Sequence, residues 1–230
     1  DLLIAALGLR KKGRVVFDSH EDFPALMLQR DYIPDFARRW LFRIARFTEK
    51  YSAKRLSGVV CATETIRKKF LSYGNVPTET VRNYPVFADN GNDKPHCFPK
   101  KAVVCYVGGL TEVRGVKEMV KACDKAGVKL LLAGEFDDMD FFNGVKAMPQ
   151  WQNVEFLGYV PNAEVRERVY ERSSVGLVLL HEAPNHTYSI PIKQLEYMQA
   201  GLPVIASREV LFCKQVTQEE HCGLVVNPLD

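Results

Sequence analysis

A lysine and a glutamate three residues apart, Lys193 and Glu196, have side chains that could bind a nucleotide. A lysine can neutralise a diphosphate, and a carboxylate can accept hydrogen bonds from ribose hydroxyls. The same pair could also be a surface ion pair on a helix, which contributes roughly 0.2–0.5 kcal/mol. Because the pair lies beside a glycine turn and a buried strand, we favour a ligand site.

The segment around this pair, SVGLVLLHEAPNHTYSIPIKQLEYMQAGLPVIAS, has the pattern of strand, loop, short helix and strand. Val175–Leu180 is a continuous apolar run, typical of a parallel strand covered on both faces. Ser189 can cap the helix, Pro191 fits its first turn and Gly201 can end it. Such a helix begins beyond the carboxyl edge of a parallel sheet, where α/β folds hold anionic ligands.

Two glycines follow another predicted strand in YVGGLTEVRG, residues 106–115. Gly108 and Gly109 would let the backbone approach a phosphate closely, and Arg114 adds a fork of donors suited to phosphate oxygens. The motif lacks the third glycine of the G-x-G-x-x-G fingerprint and the Gly-Lys-Ser/Thr of a P-loop. A phosphate site and a plain glycine turn with a surface arginine are both open at this point.

A histidine, His20, follows a predicted strand in FDSHEDFP, residues 17–24. Polar residues at the carboxyl end of a strand point into the crevice where ligands bind, so this imidazole could orient a substrate or move a proton. Taken alone, a histidine that only hydrogen-bonds its loop is the better explanation. A zinc motif H-E-x-x-H is excluded, because its second histidine would fall on Pro24.

A basic and aromatic helix is predicted within residues 36–56, FARRWLFRIARFTEKYSAKRL. Its apolar residues share one face and its basic residues occupy the remainder; the first set is Phe36, Trp40, Leu41, Ile44, Phe47 and Tyr51, the second Arg38, Arg39, Arg43, Arg46 and Lys50. Such a helix can lie on an anionic membrane surface. It can also pack its apolar stripe on a sheet and solvate its arginines, and we favour this second interpretation.

Predicted strands alternate with predicted helices along most of the chain. The strands are expected at 14–18, 58–62, 82–87, 102–107, 128–133 and 154–157, the helices at 34–56, 64–73, 116–126, 140–148 and 163–172. This alternation argues for parallel sheets built from βαβ units, so the predicted fold class is α/β with two Rossmann-like halves.

The predicted domain organisation follows from residues 88–100, which are rich in Asn, Asp, Pro and Gly and lack any period. We expect a partial N-terminal domain over 1–88, a linker over 89–100 and a C-terminal nucleotide-binding domain over 101–230. The chain opens on an isolated helical piece and closes just after a strand, so we expect an internal piece of a longer protein.

The composition sets loose bounds on function. A net charge of +3 over 230 residues does not argue for nucleic acid as a partner. Six cysteines without a C-x-x-C pair favour free thiols in a reducing compartment over a disulfide framework. The sequence has no apolar run long enough to span a bilayer and no signal peptide.

Several of these motifs together resemble those of the retaining, family 4 glycosyltransferases of the GT-B fold, and most closely the bacterial enzymes of surface-polysaccharide assembly. The resemblance rests on VVFDSHEDFP, RNYPVF, VCYVGGLTEVRGVKEMVKA, LLLAGEF, VEFLGYVP and SIPIKQLEYMQAGLPVIAS, in that order. It implies two Rossmann-like domains that face a cleft, with the nucleotide sugar held mainly by the C-terminal one. It also implies that the first strands of the N-terminal domain and the last C-terminal helices lie outside this sequence.

The last motif supplies most of the implied donor site. Glu196 matches the second glutamate of the family's E-x-x-x-x-x-x-x-E motif, which grips the donor ribose. Tyr188 stands where that motif has its first glutamate, a departure that bears on the contact to the donor sugar. We place Ser189, Ile190 and Lys193 with these two among the donor-binding residues.

The phosphate loop and the nucleobase segment complete the donor site that the resemblance implies. Arg114 occupies the position of the family's loop lysine, whereas the usual Gly-Arg before the loop is Gly108-Gly109 here, so one cation is absent. Tyr159 and Val160 match the segment whose backbone reads the nucleobase.

The resemblance also implies a catalytic set of His20, Arg114 and Lys193. His20 matches a histidine near the transferred sugar, while Asn83 is expected to be structural. The two cations stabilise the departing diphosphate, so that no metal or other cofactor is expected. Retention without a nucleophile implies same-face attack, with the leaving phosphate taking the proton of the acceptor.

The expected partners are a nucleotide sugar, with UDP ahead of GDP because the family mostly uses it, and a glycan or lipid-linked acceptor. We expect a cytoplasmic enzyme, with peripheral attachment to the inner face of the membrane left open. A GT-B sugar-nucleotide epimerase and a non-catalytic nucleotide-binding module are the alternatives. We further expect these 230 residues to bind nucleotide but to turn over poorly.

Overall fold

The computed structural model describes residues 3–9, 13–29, 33–85 and 98–229, which form two units, Asp1–Asn83 and Tyr84–Asp230. The first unit has a parallel three-stranded sheet in the order β1-β2-β3. Its elements are α1 (Leu3–Leu9), β1 (Val16–Ser19), α2 (Phe23–Leu26), α3 (Asp35–Ala53), β2 (Gly58–Cys61), α4 (Glu64–Leu71) and β3 (Thr78–Thr80).

The second unit has a parallel six-stranded sheet in the order β6-β5-β4-β7-β8-β9. Its elements are β4 (Val103–Val107), α5 (Val116–Lys125), β5 (Lys129–Ala133), α6 (Met139–Lys146), β6 (Val154–Gly158), α7 (Asn162–Arg168), β7 (Val175–Val178), α8 (Pro184–Thr187), α9 (Ile192–Gln199), β8 (Val204–Ser207), α10 (Leu211–Glu219) and β9 (Gly223–Val226). Counted from its own first strand, this is the 3-2-1-4-5-6 order of a Rossmann sheet.

Both faces of the larger sheet are covered by apolar side chains. In β4, Cys105 and Val107 belong to the core on one face, whereas Val104 and Tyr106 belong to the core on the other. Burial on both faces explains why the strands are continuous apolar runs rather than alternating ones. The predicted fold class, α/β with Rossmann-like parallel sheets, is confirmed.

Several predicted elements have different bounds in the structure. The third strand of the first unit is Thr78–Thr80, and residues 82–85, the described part of the predicted strand at 82–87, form no strand. The predicted helix at 163–172 ends at Arg168 and is followed by a separate 3-10 turn, and α10 was not predicted. The two units meet between Asn83 and Tyr84, and most of the predicted linker at 89–100 lies outside the described residues.

The favoured interpretation of the basic, aromatic helix was wrong. The helix forms as α3, but its apolar stripe faces solvent, with Phe36 76%, Trp40 63% and Phe47 71% exposed. The face that packs inward carries small and polar residues, namely Ser52, Ala53 and Glu49. The stripe therefore has no sheet beneath it in the part of the chain that the structure describes.

A buried polar network explains how α3 can turn a carboxylate inward. Glu49 is 2% exposed, and its carboxylate accepts hydrogen bonds from the Tyr73 hydroxyl at 2.7 Å and from Lys69 Nζ at 2.9 Å. Lys69 Nζ also donates to Asp22 Oδ1 at 3.2 Å. Burial raises the pKa of Tyr73, and its bond to Glu49 raises it further. Because its partners are fixed, this carboxylate can be buried where an aromatic stripe would be expected.

The five described cysteines are free thiols, and burial governs their chemistry. It raises the pKa of Cys61 to about 11 and those of Cys105, Cys123 and Cys213 to about 12.

Since the thiolate is the reactive form, these four thiols should resist a disulfide reagent in the native protein at neutral pH. They should all react once denaturant unfolds the chain. Mass spectrometry of the labelled peptides measures both states, and rapid native labelling of any of the four would contradict their burial.

Among the described helices, none combines the length and apolar character needed to cross a membrane. The described residues also contain no group of three or more His, Cys, Asp or Glu side chains placed to hold a metal ion.

Candidate functional site

The strand order creates a crevice at the carboxyl edge of the larger sheet. The chain leaves β4 towards one side of the sheet and leaves its neighbour β7 towards the other, so the loops that follow these strands diverge. In open α/β sheets this switch point is where ligands bind. The loop after β4 contains Gly108, Gly109 and Arg114, and the loop after β7 leads to α9.

The turn after β4 lies directly beneath an arginine. Gly108 has φ +151°, and a Cβ there would lie 3.1 Å from the Tyr106 hydroxyl and 3.4 Å from Arg114 Nη1. The Tyr106 hydroxyl donates to the carbonyl of Gly109 at 3.2 Å, which holds the turn in place. The arrangement combines an uncovered backbone with a guanidinium above it, which suits an anion.

Glycines also end the two strands beyond β4. Gly108, Gly134 and Gly158 follow or end β4, β5 and β6, and all three have positive φ. The amide of Gly108 donates to Ala133 at 3.0 Å, and that of Gly134 donates to Gly158 at 2.8 Å. A Cβ on Gly134 would lie 1.8 Å from the Gly108 carbonyl oxygen. The turns that follow β4, β5 and β6 are therefore held in place by backbone packed on backbone.

The loop after β7 is bound to the loop after β4. The His181 amide donates to the Val113 carbonyl at 2.9 Å, and a Cβ on Gly115 would lie 2.2 Å from the Leu179 carbonyl oxygen. In the same loop, burial lowers the pKa of His186, and the nearby Arg114 charge lowers it further against an opposing bond to the His181 carbonyl. His186 is thus a neutral imidazole at neutral pH, in the electrostatic field of Arg114.

The carboxylate of Glu196 has two donors of its own. Lys193 Nζ donates to its Oε2 at 2.7 Å, and the Tyr170 hydroxyl donates to the same oxygen at 2.6 Å. The Lys193 and Glu196 side chains are 26% and 24% exposed. The pair is therefore an ion pair, as the second interpretation of the sequence had it, but one held in a fixed geometry by a buried tyrosine. Both of these hydrogen bonds use Oε2.

Tyr197, the residue after Glu196, connects α9 to the central strand. Its hydroxyl accepts a hydrogen bond from the Val107 amide at 3.2 Å, one residue before the double glycine. Its ring is fully buried and packs edge-on against Tyr170, with centroids 5.5 Å apart. A Cβ on Gly176 would lie 2.4 Å from that ring. Glu196 and the glycine turn are thus fixed to the same rigid core.

The predicted cap of α9 was wrong. The helix begins at Ile192 with Pro191 in the N-cap position, and the Ser189 hydroxyl donates to the His186 carbonyl at 2.8 Å instead. The His186 carbonyl at the end of α8 binds this hydroxyl, so Ser189 does not cap α9. Gly201 follows the end of α9 with φ +73°, as predicted for a helix stop. Tyr188 is 55% exposed, whereas Ile190 is half-buried.

The two residues predicted to border the nucleobase point in different directions. Tyr159 is 65% exposed, whereas Val160 is 5% exposed and belongs to the core. Val160 is therefore a core residue, whereas Tyr159 offers an exposed ring just after β6.

A family model of the glycosyl transferases group 1 matches residues 90–230, which is more than half of the chain. The chain belongs to this family. The match contains the double glycine, Arg114, Lys193 and Glu196. No curated protein sequence matches the chain significantly.

Solved structures show the same fold at low sequence identity. The Anabaena protein HepE, crystallised with UDP and glucose, has a TM-score of 0.66 at 15% identity, and the match covers 99% of this chain and 62% of that protein. A trehalose 6-phosphate synthase from Burkholderia multivorans has a TM-score of 0.66 at 17% identity, covering 100% and 59%. WaaG, a glycosyltransferase involved in lipopolysaccharide biosynthesis, has 0.63 at 14%, covering 95% and 66%. The chain thus spans about three fifths of the length of the first two.

In the first unit of this group 1 chain, His20 follows β1 and both of its ring nitrogens have partners. Its Nε2 lies 3.1 Å from Asp18 Oδ2, and its Nδ1 lies 3.2 Å from Asn83 Nδ2. Since an amide nitrogen only donates, Nδ1 accepts and Nε2 carries the proton. The arrangement orients the ring, with Asn83 as one of its two partners.

The sequence did not indicate Tyr170, Tyr197 or His186. Tyr170 and Tyr197 fall within apolar patterns that predict core packing, and the usable signal is that a buried tyrosine needs a partner for its hydroxyl. That partner is 26 residues away for Tyr170 and 90 residues away for Tyr197, so only the fold identifies it.

Replacing Tyr170 by phenylalanine in this group 1 domain should lower the free energy of unfolding by about 1 kcal/mol, the usual value for one hydrogen bond. The loss stays small because water can reach the partly exposed Glu196 carboxylate. Tyr159→Phe is the matched control. The Tyr159 side chain is exposed, so loss of its hydroxyl should not change the free energy of unfolding. Urea denaturation measures both variants, and equal stability of the two would contradict the assigned bond.

Proposed function

We propose that the protein is a retaining glycosyltransferase that moves a sugar from a UDP-sugar to a glycan or lipid-linked acceptor. Membership of the glycosyl transferases group 1 family supports the reaction class. The proposal for the donor rests on one observation above all. The double glycine with Arg114 beside it and the positioned carboxylate of Glu196 both lie at the switch-point edge of one Rossmann sheet.

In the proposed complex, the diphosphate lies on the turn at Gly108 and Gly109, within reach of the Arg114 guanidinium. The uncovered backbone and the fixed cation support this placement. Glu196 accepts hydrogen bonds from the ribose hydroxyls, since Tyr170 and Lys193 leave its Oε1 without a bond from either of them. The binding of UDP by HepE is consistent with this choice of nucleotide.

Lys193 has two roles in this proposal. Without ligand it neutralises Glu196 at 2.7 Å, and with ligand it shares its charge with the diphosphate. Arg114, Lys193 and the first amides of α9 then stabilise the charge that develops on the leaving group. Because two cationic side chains and the helix amides can carry this charge, we propose that catalysis needs no divalent metal.

The proposed reaction proceeds on one face of the sugar. The bond between the anomeric carbon and the phosphate oxygen breaks, and a bond from the acceptor hydroxyl to the same carbon forms on the side that the phosphate leaves. The departing phosphate oxygen takes the acceptor proton, so charge and atoms balance. On the family resemblance we propose a catalytic role for His20 and donor contacts for Tyr188, Ser189, Ile190, Tyr159 and Val160. We also place the enzyme in the cytoplasm.

Calorimetric titration with UDP, GDP, ADP and their sugar conjugates, in the presence of a chelator, tests the donor site. We expect saturable binding of UDP and its conjugate, and no binding of the other two nucleotides. Absence of binding for all of them would overturn the proposal. Preferred binding of GDP would correct the base and leave the site assignment in place.

A non-catalytic nucleotide-binding module is the second candidate, because Tyr188 and Gly109 replace two polar groups of the family pattern. An assay of sugar transfer to added acceptor lipid, with the anomeric configuration of the product read by NMR, separates the two. Retained configuration supports the transferase. Binding without transfer is expected both of the module and of the poor turnover of these 230 residues, so it is detected transfer, with membrane extract as acceptor source, that decides in favour of the transferase.

A further inference from the structure

The outward face of α3 is an aromatic stripe that no described part of the chain covers. It consists of Phe36, Trp40, Ile44, Phe47 and Tyr51, which are 45–76% exposed. Their spacing of four, four, three and four residues places them along one side of the helix. Over these residues the helix is about 23 Å long, so the stripe is a continuous apolar surface and not a single exposed ring. The rings of Phe47 and Tyr51 stack on each other, with centroids 6.3 Å apart.

The exposed charges that the structure describes on α3 have one sign. Arg39, Arg43, Arg46 and Lys50 are exposed on α3, whereas Glu49, the only carboxylate among its described side chains, is buried against Lys69 and Tyr73. Among the described side chains of α3, the fold thus buries the negative group and leaves the cations exposed. Arg43 also lies over the Trp40 ring, with its guanidinium carbon 5.9 Å from the centroid.

An open cavity adjoins the amino-terminal end of the stripe. Its volume is about 720 Å³, and it is lined by Leu28, Phe36 and Trp40 together with Arg38, Arg39 and Arg43. Apolar walls with three guanidinium groups fit a molecule that has both a hydrocarbon part and a phosphate. An anionic phospholipid has this chemistry.

We propose that α3 docks the protein on the surface of an anionic phospholipid bilayer. The aromatic stripe lies in the interface between headgroups and acyl chains, and the four exposed cations pair with lipid phosphates. Trp40 and Tyr51 suit this depth, because their rings are apolar and carry one polar group. The proposal stands apart from the nucleotide site, since every residue that it uses lies in the first unit.

The two tryptophans of the chain allow a direct test of insertion. In the full chain with Trp151→Phe, Trp40 is the only tryptophan, and its emission should shift to shorter wavelength when vesicles of phosphatidylglycerol and phosphatidylcholine are added. The reciprocal variant, Trp40→Phe, retains only Trp151 in the second unit and should show no shift. Vesicles of phosphatidylcholine alone should give a much smaller shift with either variant.

Sedimentation with the same vesicles tests the charges. Replacing Arg39, Arg43 and Arg46 together by glutamine should weaken binding on the order of a hundredfold, at roughly fivefold for each arginine near an anionic surface. The control replaces Lys121, Lys125 and Lys214, which are exposed on helices of the second unit, and should bind as the original protein does. High salt should release the original protein, because salt screens exposed charges.

Three results would each overturn the docking surface: no blue shift of Trp40, equal binding to neutral and anionic vesicles, or equal loss in the two triple variants. Circular dichroism before each titration shows that the variants are folded, which is expected because Trp151 is exchanged for another aromatic ring and the other replaced side chains are exposed. A failure here leaves nucleotide binding untouched, and the calorimetric titration tests that separately.

Discussion

Replacing Gly134 by alanine should lower the free energy of unfolding of the second unit by about 3 kcal/mol. Gly134 has φ +146°, a backbone conformation that L side chains rarely adopt, and its Cβ would lie 1.8 Å from the Gly108 carbonyl oxygen. That oxygen cannot move away freely, because the Gly108 amide is bonded to Ala133 at 3.0 Å. The backbone strain and the steric overlap with Gly108 therefore both destabilise the variant, and the double-glycine turn has to move to relieve the overlap.

Gly144→Ala is the matched control for this loss. Gly144 lies inside α6, and a Cβ there meets nothing within 4 Å. Alanine should therefore stabilise the unit by roughly 0.5–1 kcal/mol, through helix propensity and a less flexible unfolded chain.

Fluorescence of Trp151 reports this unit, since its ring packs against Phe142 and Phe156, and Trp40→Phe removes the signal of the other unit. Denaturation curves that moved in the same direction for both glycines would contradict the predicted clash.

Replacing Glu196 by alanine should weaken UDP binding by about 1–3 kcal/mol, the range for losing a hydrogen bond to a charged group. This corresponds to roughly a 5- to 150-fold higher dissociation constant. Arg114→Ala should weaken binding to a similar extent, but through the diphosphate and not through the ribose.

Inorganic pyrophosphate distinguishes these two losses. Glu196→Ala frees Lys193 from its 2.7 Å ion pair, so pyrophosphate should bind this variant at least as tightly as the original protein. Arg114→Ala should weaken UDP and pyrophosphate alike. Glu167→Ala removes an exposed carboxylate from α7 and serves as the control. Calorimetry measures all four proteins, and unchanged UDP affinity in both site variants would remove the donor site from this edge of the sheet.

The fold of the second unit could be predicted in detail because its strands are buried on both faces. Continuous apolar runs such as Val175–Leu180 alternate with segments whose apolar residues recur at helical spacing. This pattern leaves few alternatives to a parallel sheet. The turn at Gly108 and Gly109 could also be predicted, since a double glycine directly after a strand favours a turn. The order of the strands could not be predicted, because no local sequence pattern indicates that β4 pairs with β7.

The site and the first unit were less predictable, since their decisive partners lie far apart in sequence. The 3.6-residue period correctly predicts a helix at α3, but it does not say which side faces inward. Glu49 is buried only because Lys69 and Tyr73, 20 and 24 residues later, satisfy its carboxylate. Ser189 has the right residue type for a cap, yet a nearer carbonyl takes its hydroxyl.

The position of β4 in the middle of its sheet has a consequence for synthesis on the ribosome. Its neighbour β5 and the next strand of the sheet, β6, follow directly in the sequence, whereas its pairing with β7 joins residues 71 apart, Val104 and Val175. Closing so long a loop is slow, so the half-sheet of β4 to β6 can form while the rest is still being made. Until β7 emerges and pairs with β4, that half-sheet exposes the free edge of β4. The nascent chain is then most open to mispairing and to capture by chaperones.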